Sequence, residues 1–209
     1  MKSTKRKGNR EIYWIIGIMA VILGILYLSQ IIAEEFRTFN YQGLTFTKER
    51  FEKIPVFHYY YFFNNDGQTY KYNLFLREDP RFNNVPVSGN IVFSGERMIF
   101  LSINGTGISQ CGNSSREIAT LTSFFVNNMF NFKAGTPDKK EAEQKNLSFI
   151  SCKTNPLSDV ILIQKGDSTD IKREGSCYKI NIADCELLNA IEKFEVQSII
   201  DAKKRSGNS

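Results

Sequence analysis

Four cysteines carry the most versatile chemistry in this chain: Cys111, Cys152, Cys177 and Cys185. No two of them stand at the C-x-x-C spacing of a zinc knuckle, and a reactive thiol needs a free cysteine in a cationic pocket. An even number of cysteines in an oxidising compartment favours disulfides. Of the three pairings that four cysteines allow, we expect Cys111–Cys152 and Cys177–Cys185, because the second closes a short loop before the last helix.

His58 is the only histidine, so a Ser–His or Cys–His catalytic pair would have to be built on it. It lies within an aromatic run, VFHYYYFF (56–63), where a hydrogen-bonded strand residue is the simpler interpretation. The chain contains no G-x-S-x-G elbow. We therefore favour a protein that is not an enzyme and predict no catalytic residue, metal or cofactor. The enzymatic alternative is an envelope hydrolase built on His58 or on Glu78 and Asp79.

A charged segment with two prolines, LREDPRFNNVPVSG (76–89), is the candidate for contact with a partner. Pro80 and Pro86 cannot donate hydrogen bonds to a sheet, so the segment is predicted to be a loop or an edge. Exposed loops often carry recognition residues. The predicted contact residues are Arg77, Glu78, Asp79 and Arg81.

Two further patterns have simple interpretations. Gly107 and Gly112 have the G-x-x-x-x-G spacing of a phosphate loop, but Asn113 stands where that loop needs its lysine. We therefore predict a turn that leads into a helix. Three Asn-x-Ser/Thr sequons are candidate glycosylation sites on an extracytoplasmic domain: Asn104, Asn113 and Asn146.

The element that positions the rest of the chain is an uncharged apolar stretch at residues 12–32. As a helix it spans roughly 31 Å, about the thickness of a bilayer's hydrocarbon core. Five basic residues and one acidic residue precede it, and Glu34 and Glu35 follow it. The positive-inside rule then places the amino terminus in the cytoplasm and the bulk of the chain outside. The predicted parts are a basic tail (1–11), a transmembrane helix (12–32), a connection (33–40) and an extracytoplasmic domain (41–209).

The apolar stretch at residues 12–32 also has two alternative interpretations and one possible additional role. A cleaved signal peptide would have a shorter apolar core, with small residues before the cut. A prepilin-like leader, cut after Gly8, would make the chain a filament subunit. Gly17, Ala20 and Gly24 share one face of the helix, and small residues let helices approach closely in lipid, so this face is a candidate contact between two copies.

The net charge of +5 belongs mainly to the tail, because the remainder holds 22 basic and 21 acidic residues. A nucleic-acid-binding domain would cluster its basic residues on the folded part. We therefore expect no nucleic-acid partner.

Beyond the anchor, the sequence predicts one α+β domain, with a mostly antiparallel sheet covered by two helices. Alternating and β-branched runs, with the turn signal Asn64–Gly67, predict strands at 44–47, 56–63, 69–76, 91–93, 98–103, 147–152, 160–164, 169–173 and 177–182. A turn is expected at Gly95. The predicted helices are 115–130, after a capping box from Ser114 to Glu117, and 185–203, capped by Asp184. The polar segment 133–146 is predicted to be a loop with one helical turn.

Four segments carry a resemblance: LREDPR (76–81), VPV (85–87), VILIQKGDST (160–169) and CYKI (177–180). At these residues the chain resembles an uncharacterised family of proteins from small-genome archaea. The resemblance implies one amino-terminal membrane helix and a cysteine-containing ectodomain, and it transfers no catalytic residue.

Together these patterns predict a single-pass protein of the cell membrane that binds or assembles other envelope components. Its partner would be an envelope protein or a surface polymer, contacted through the loop 77–89 or the aromatic hairpin 56–76. Membrane lipid would surround residues 12–32.

Overall fold

The computed structural model describes residues 5–35, 37–93 and 98–207. It begins with a 31-residue helix, α1 (Lys5–Glu35). Within α1 the segment Ile12–Ser29 has a mean hydropathy of 2.3, and none of its residues is buried by the rest of the chain. The helix is therefore long and apolar enough to cross a membrane, as an anchor or as a signal sequence. It continues through the first three of the eight residues of the predicted connection (33–40), and the first strand begins after only two more residues.

The chain then forms a small antiparallel sheet in the order β1-β2-β3-β4. Its strands are β1 (Thr38–Tyr41), β2 (Leu44–Phe51), β3 (Ile54–Asn65) and β4 (Gln68–Leu76). The predicted aromatic hairpin is confirmed as β3 and β4. Asp66 and Gly67 both have positive φ at its turn, as a two-residue hairpin that follows the strand twist requires.

A larger sheet follows, in the order β5-β10-β11-β9-β6-β7-β8. Its strands are β5 (Val87–Ser88), β6 (Ile99–Ile103), β7 (Phe132–Thr136), β8 (Ser148–Phe149), β9 (Asp159–Lys165), β10 (Asp170–Glu174) and β11 (Cys177–Ile182). The α+β class is confirmed, with a division into two sheets that the sequence did not reveal. Among the described pairings of this sheet, only β10 with β11 is antiparallel. Five consecutive buried residues in β9 match this arrangement, since parallel strands are covered on both faces.

The last helix, α4 (Leu187–Arg205), lies between the two sheets. Towards the small sheet, Lys193 Nζ donates a hydrogen bond to the hydroxyl of Tyr41 at 3.2 Å. Towards the large sheet, the ring of Phe194 packs edge-on against Tyr178, with 6.1 Å between centroids. Helix α2 (Ser114–Asn127) shares this middle layer, and one apolar core contains residues of both sheets and both helices.

Several local predictions need correction. Ile91 and Phe93 are buried, but the segment 91–93 is not a strand. The polar segment 133–146 contains β7 and a two-turn helix, α3 (Lys139–Lys145). Both predicted helix caps are wrong, because Asn113 and Glu186 occupy the cap positions and neither makes a side-chain capping hydrogen bond. The turn expected at Gly95 lies outside the described residues.

All four cysteines form disulfides, as predicted, but the expected pairing is wrong: Cys111 is bonded to Cys185, and Cys152 to Cys177. The parallel strands explain the difference. The loop before β9 lies beside the start of its parallel neighbour β11, which brings Cys152 to Cys177. The loops after β6 and β11 leave the same edge of the sheet before α2 and α4, which brings Cys111 to Cys185.

Candidate functional site

An open cleft of about 450 Å³ lies between the small sheet and the end of α4. Most of its surface is apolar, and seven of its sixteen lining residues are aromatic or aliphatic side chains from β3 or the 91–93 segment. This combination of concavity, apolar lining and a few polar groups is typical of ligand sites. The lining residues are Tyr59, Tyr61, Phe62, Phe63, Ile91, Val92, Phe93, Phe124, Asn128, Phe130, Ser198, Ile199, Ala202, Lys203, Arg205 and Ser206.

Strand β3 builds the aromatic wall through its alternation. Tyr59, Tyr61 and Phe63 share one face of the strand, and their rings follow one another with about 6 Å between centroids. Phe57, on the same face, is buried in the core. The wall is therefore a continuation of the core face of the small sheet beyond the part that α4 covers.

A hydrogen bond fixes the polar centre of this wall. The hydroxyl of Tyr61 donates to Oδ1 of Asn128 at 2.5 Å, and Nδ2 of Asn128 donates to the carbonyl of Phe124 at 2.8 Å. Because the second bond engages Nδ2 of Asn128, the side-chain oxygen of Asn128 is the atom that faces the hydroxyl of Tyr61. Burial raises the pKa of Tyr61 and of Tyr59, so both phenols are neutral donors across the physiological pH range.

The part of the cleft that the end of α4 forms is basic. Lys203 and Arg205 line it from the last turn of α4, and Lys203 Nζ donates a hydrogen bond of 2.8 Å to the carbonyl of Gly43. That bond ties the end of α4 to the β1–β2 turn. A ligand that suits the whole cleft therefore has an apolar body and an acidic group at one end.

Two buried carboxyls lie deeper on α4. Glu192 is 4% exposed and accepts the backbone N–H groups of Arg77 and Glu78 at 2.6 and 3.0 Å. Glu195 is 1% exposed, and its Oε1 has no hydrogen-bond partner within the described part of the chain. Burial raises the pKa of Glu192 to about 7 and that of Glu195 to about 8.

Glu195 stands one turn before Ile199 and two before Ala202, so it shares the helix face that forms the floor of the cleft. At neutral pH its raised pKa keeps the carboxyl protonated. No carboxylate charge therefore lies beneath Ile199 and Ala202, which line the cleft from α4.

The predicted contact loop is folded against the protein. Arg77 and Glu78 bind Glu192 through their backbone, and Asp79 pairs with Arg81 at 2.6 Å. The hydrogen bond from Arg81 lowers the pKa of Asp79 below its usual range. The guanidinium of Arg81 lies 3.9 Å from the ring centre of Phe39 in β1. These four residues therefore lie against α4 and β1, and none of them lines the cleft.

His58 lies on the outer face of the small sheet. Its Nδ1 is 2.8 Å from Oε1 of Glu49, its Nε2 is 3.1 Å from Oδ1 of Asn73, and its ring stacks on Phe75 at 4.5 Å. These contacts agree with its interpretation as a hydrogen-bonded strand residue. Within the described ranges, no group of three or more His, Cys, Asp or Glu residues is placed to hold a metal ion.

The remaining candidates are dispersed. Asn113 and Asn146 are exposed and have left-handed backbone at the ends of helices, whereas Asn104 is half-buried. Gly17 lines a shallow groove on the exposed surface of α1. The predicted packing face, which also includes Ala20 and Gly24, remains uncovered in the single chain.

The cleft was not predicted, although two signals for it exist in the sequence. The alternation in VFHYYYFF places four aromatic residues on one face, and Glu195 interrupts the apolar stripe of the last helix. Neither signal shows that the two elements meet. No known protein family, curated protein or solved structure matches the chain.

Proposed function

We propose that this chain is a membrane-anchored binding module of the cell envelope. Helix α1 would cross the membrane with the basic tail in the cytoplasm, and the disulfide-bonded domain would lie outside. The length and hydropathy of Ile12–Ser29 support the anchor, and two disulfides are typical of an oxidising compartment. The observation that carries the binding role is the aromatic cleft with its basic end.

The chemistry of the cleft favours an envelope protein over a surface polymer as the partner. Sugars need many hydrogen-bonding groups, whereas the lining here is mostly apolar. An aromatic or aliphatic side chain would lie along Tyr59, Tyr61 and Phe63, and a nearby carboxylate would face Lys203 and Arg205. The partner would therefore present an apolar residue followed by an acidic group.

The binding role can be tested with phenylacetate, which combines a ring and a carboxylate, and the full chain in lipid nanodiscs. Saturation-transfer NMR should detect binding to the wild type and weaker binding of the neutral amide. Ala202→Phe should abolish binding by filling the cleft. Ala119→Phe, an equal substitution on the exposed side of α2, should leave it unchanged. Equal binding by both variants would contradict the proposal.

The anchor has its own test, which is mass spectrometry of the amino terminus of the mature chain in membranes. An uncleaved anchor predicts that the tail before Ile12 is retained. A mature end near Ala33 would identify a signal peptide instead, and an end after Gly8 would identify a pilin-like leader.

A further inference from the structure

The β2–β3 hairpin projects beyond the rest of the small sheet. The last pair of β1 with β2 in this direction is Thr38 with Thr47, and the last pair of β4 with β3 is Leu76 with Phe57. Residues 49–56 therefore form a two-stranded ribbon that has no neighbouring strand on either side within the described part of the chain. It ends at the pair Phe51–Ile54, next to the Glu52-Lys53 turn.

This ribbon extends beyond the end of the sheet at which the chain enters from α1. Only residues 36 and 37 separate α1 from β1, and the carbonyl of Arg37 accepts a 2.6 Å hydrogen bond from the N–H of Lys48. Strand β1 runs away from the helix and β2 runs back towards it. Strand β2 then continues three residues past Lys48, so the ribbon extends about 10 Å in the direction of the helix.

The side chains at the tip are apolar and exposed. Phe51 is 74% exposed and Ile54 is 55% exposed, and as a cross-strand pair they lie side by side on one face. Lys48 and Arg50 point to the other face, and both are exposed. Lys53 in the turn is a third basic residue, and two carboxylates, Glu49 and Glu52, offset all but one of these charges, so apolar contact dominates at the tip.

We propose that the Phe51–Ile54 tip inserts into the headgroup–acyl boundary of the bilayer that α1 crosses. This inference rests on the proposed membrane anchor. From Ile32, the end of the apolar stretch, to the end of α1 the chain rises about 5 Å, and the ribbon returns about 10 Å, so its tip reaches the level of the headgroup–acyl boundary. The anchor fixes the height of the domain, and the tip, as a second contact, fixes its tilt.

Depth-dependent fluorescence quenching tests the insertion. The chain has one tryptophan, Trp14 in α1, so the Trp14→Phe background leaves no other indole. Phe51→Trp in that background reports on the tip. Gln68→Trp reports on the opposite end of the same sheet. The β3 residue that pairs with Gln68 lies eleven positions after Ile54, so the two ends are about 36 Å apart. Both positions are exposed, so both substitutions should be tolerated.

Each variant is reconstituted as the full chain in phosphatidylcholine vesicles with nitroxide labels on the headgroup or at a shallow acyl carbon. Insertion predicts a several-fold larger loss of fluorescence for Phe51→Trp than for Gln68→Trp, and most loss with the shallow label. Equal, weak quenching of both would overturn the proposal and leave the tip to a protein partner. The native Trp14 distinguishes the two failures: if the labelled lipids quench it, the anchor stands, and if they do not, the anchor itself is wrong.

Discussion

The two sheets of this domain pack on the same helix but differ in how they are held together. Both disulfides attach to segments of the large sheet or to the loops that leave it, and its central strands are covered on both faces. The small sheet has no cysteine and keeps one face open. Its exposed aromatic side chains include Tyr60, Phe62 and Phe75. The large sheet is thus the stabilising half, and the small sheet provides the surfaces: the cleft wall and the projecting ribbon.

Sheet type accounts for part of this division. An antiparallel sheet can leave one face in water, whereas a parallel sheet needs cover on both faces. Glu192 of the middle layer binds the backbone at the end of β4, so the small sheet is joined to α4 by buried polar contacts as well as by apolar packing. The comparison predicts that covalent changes in the large sheet have the largest effect on stability.

Removal of the disulfides should cause the largest loss in the free energy of unfolding. The bridge Cys111–Cys185 closes a separation of 74 residues and Cys152–Cys177 one of 25, so loop entropy predicts losses of about 4.5 and 3.5 kcal/mol. Denaturant unfolding of Cys111→Ala/Cys185→Ala and of Cys152→Ala/Cys177→Ala measures both. Peptide mapping without reduction is the control for connectivity. A peptide that joins Cys111 to Cys152 would show that the parallel order of β6, β9 and β11 is wrong.

The second-largest expected effect is the pH dependence of stability that the buried carboxyls of α4 produce. An acid whose pKa rises from 4.5 to about 8 on folding, as at Glu195, keeps its proton in the folded chain where the unfolded chain has lost it. The free energy of unfolding therefore falls as the pH rises from about 4.5 to 8, by up to about 1.4 kcal/mol per pH unit for one such carboxyl. Glu192 adds to this fall up to about pH 7.

Glu195→Gln should remove its share of that slope. Measured by denaturant unfolding from pH 5 to 8, the variant should gain stability relative to the wild type as the pH rises. Asp184→Asn, at an exposed position just before α4, is the control and should keep the wild-type slope. A variant of Glu195 with an unchanged slope would show that this carboxyl is ionised in the folded chain.

The sequence predicted local structure better than it predicted the meeting of distant elements. The strand Cys177–Ile182 and the aromatic hairpin follow from β-branched and aromatic runs with clear turns. Strand β7 was missed because KAGT has no apolar alternation; it forms where Gly135 lets the backbone of Ser148 approach closely. The disulfide pairing and the cleft depend on which strands are parallel and where α4 lies. Neither is encoded in any one segment.

The smallest expected effect is the difference in stability loss between substitutions at adjacent positions on the two faces of β3. Tyr61 faces the cleft and its hydroxyl is bonded to Asn128, whereas Tyr60 faces outward and is 51% exposed. Tyr61→Phe removes a hydrogen bond and leaves a part-buried acceptor unpaired, so it should destabilise the domain by about 1 kcal/mol. Tyr60→Phe should change stability by less than about 0.5 kcal/mol. Thermal unfolding of the two variants gives the difference, and equal losses would mean that the two faces of this strand are energetically alike.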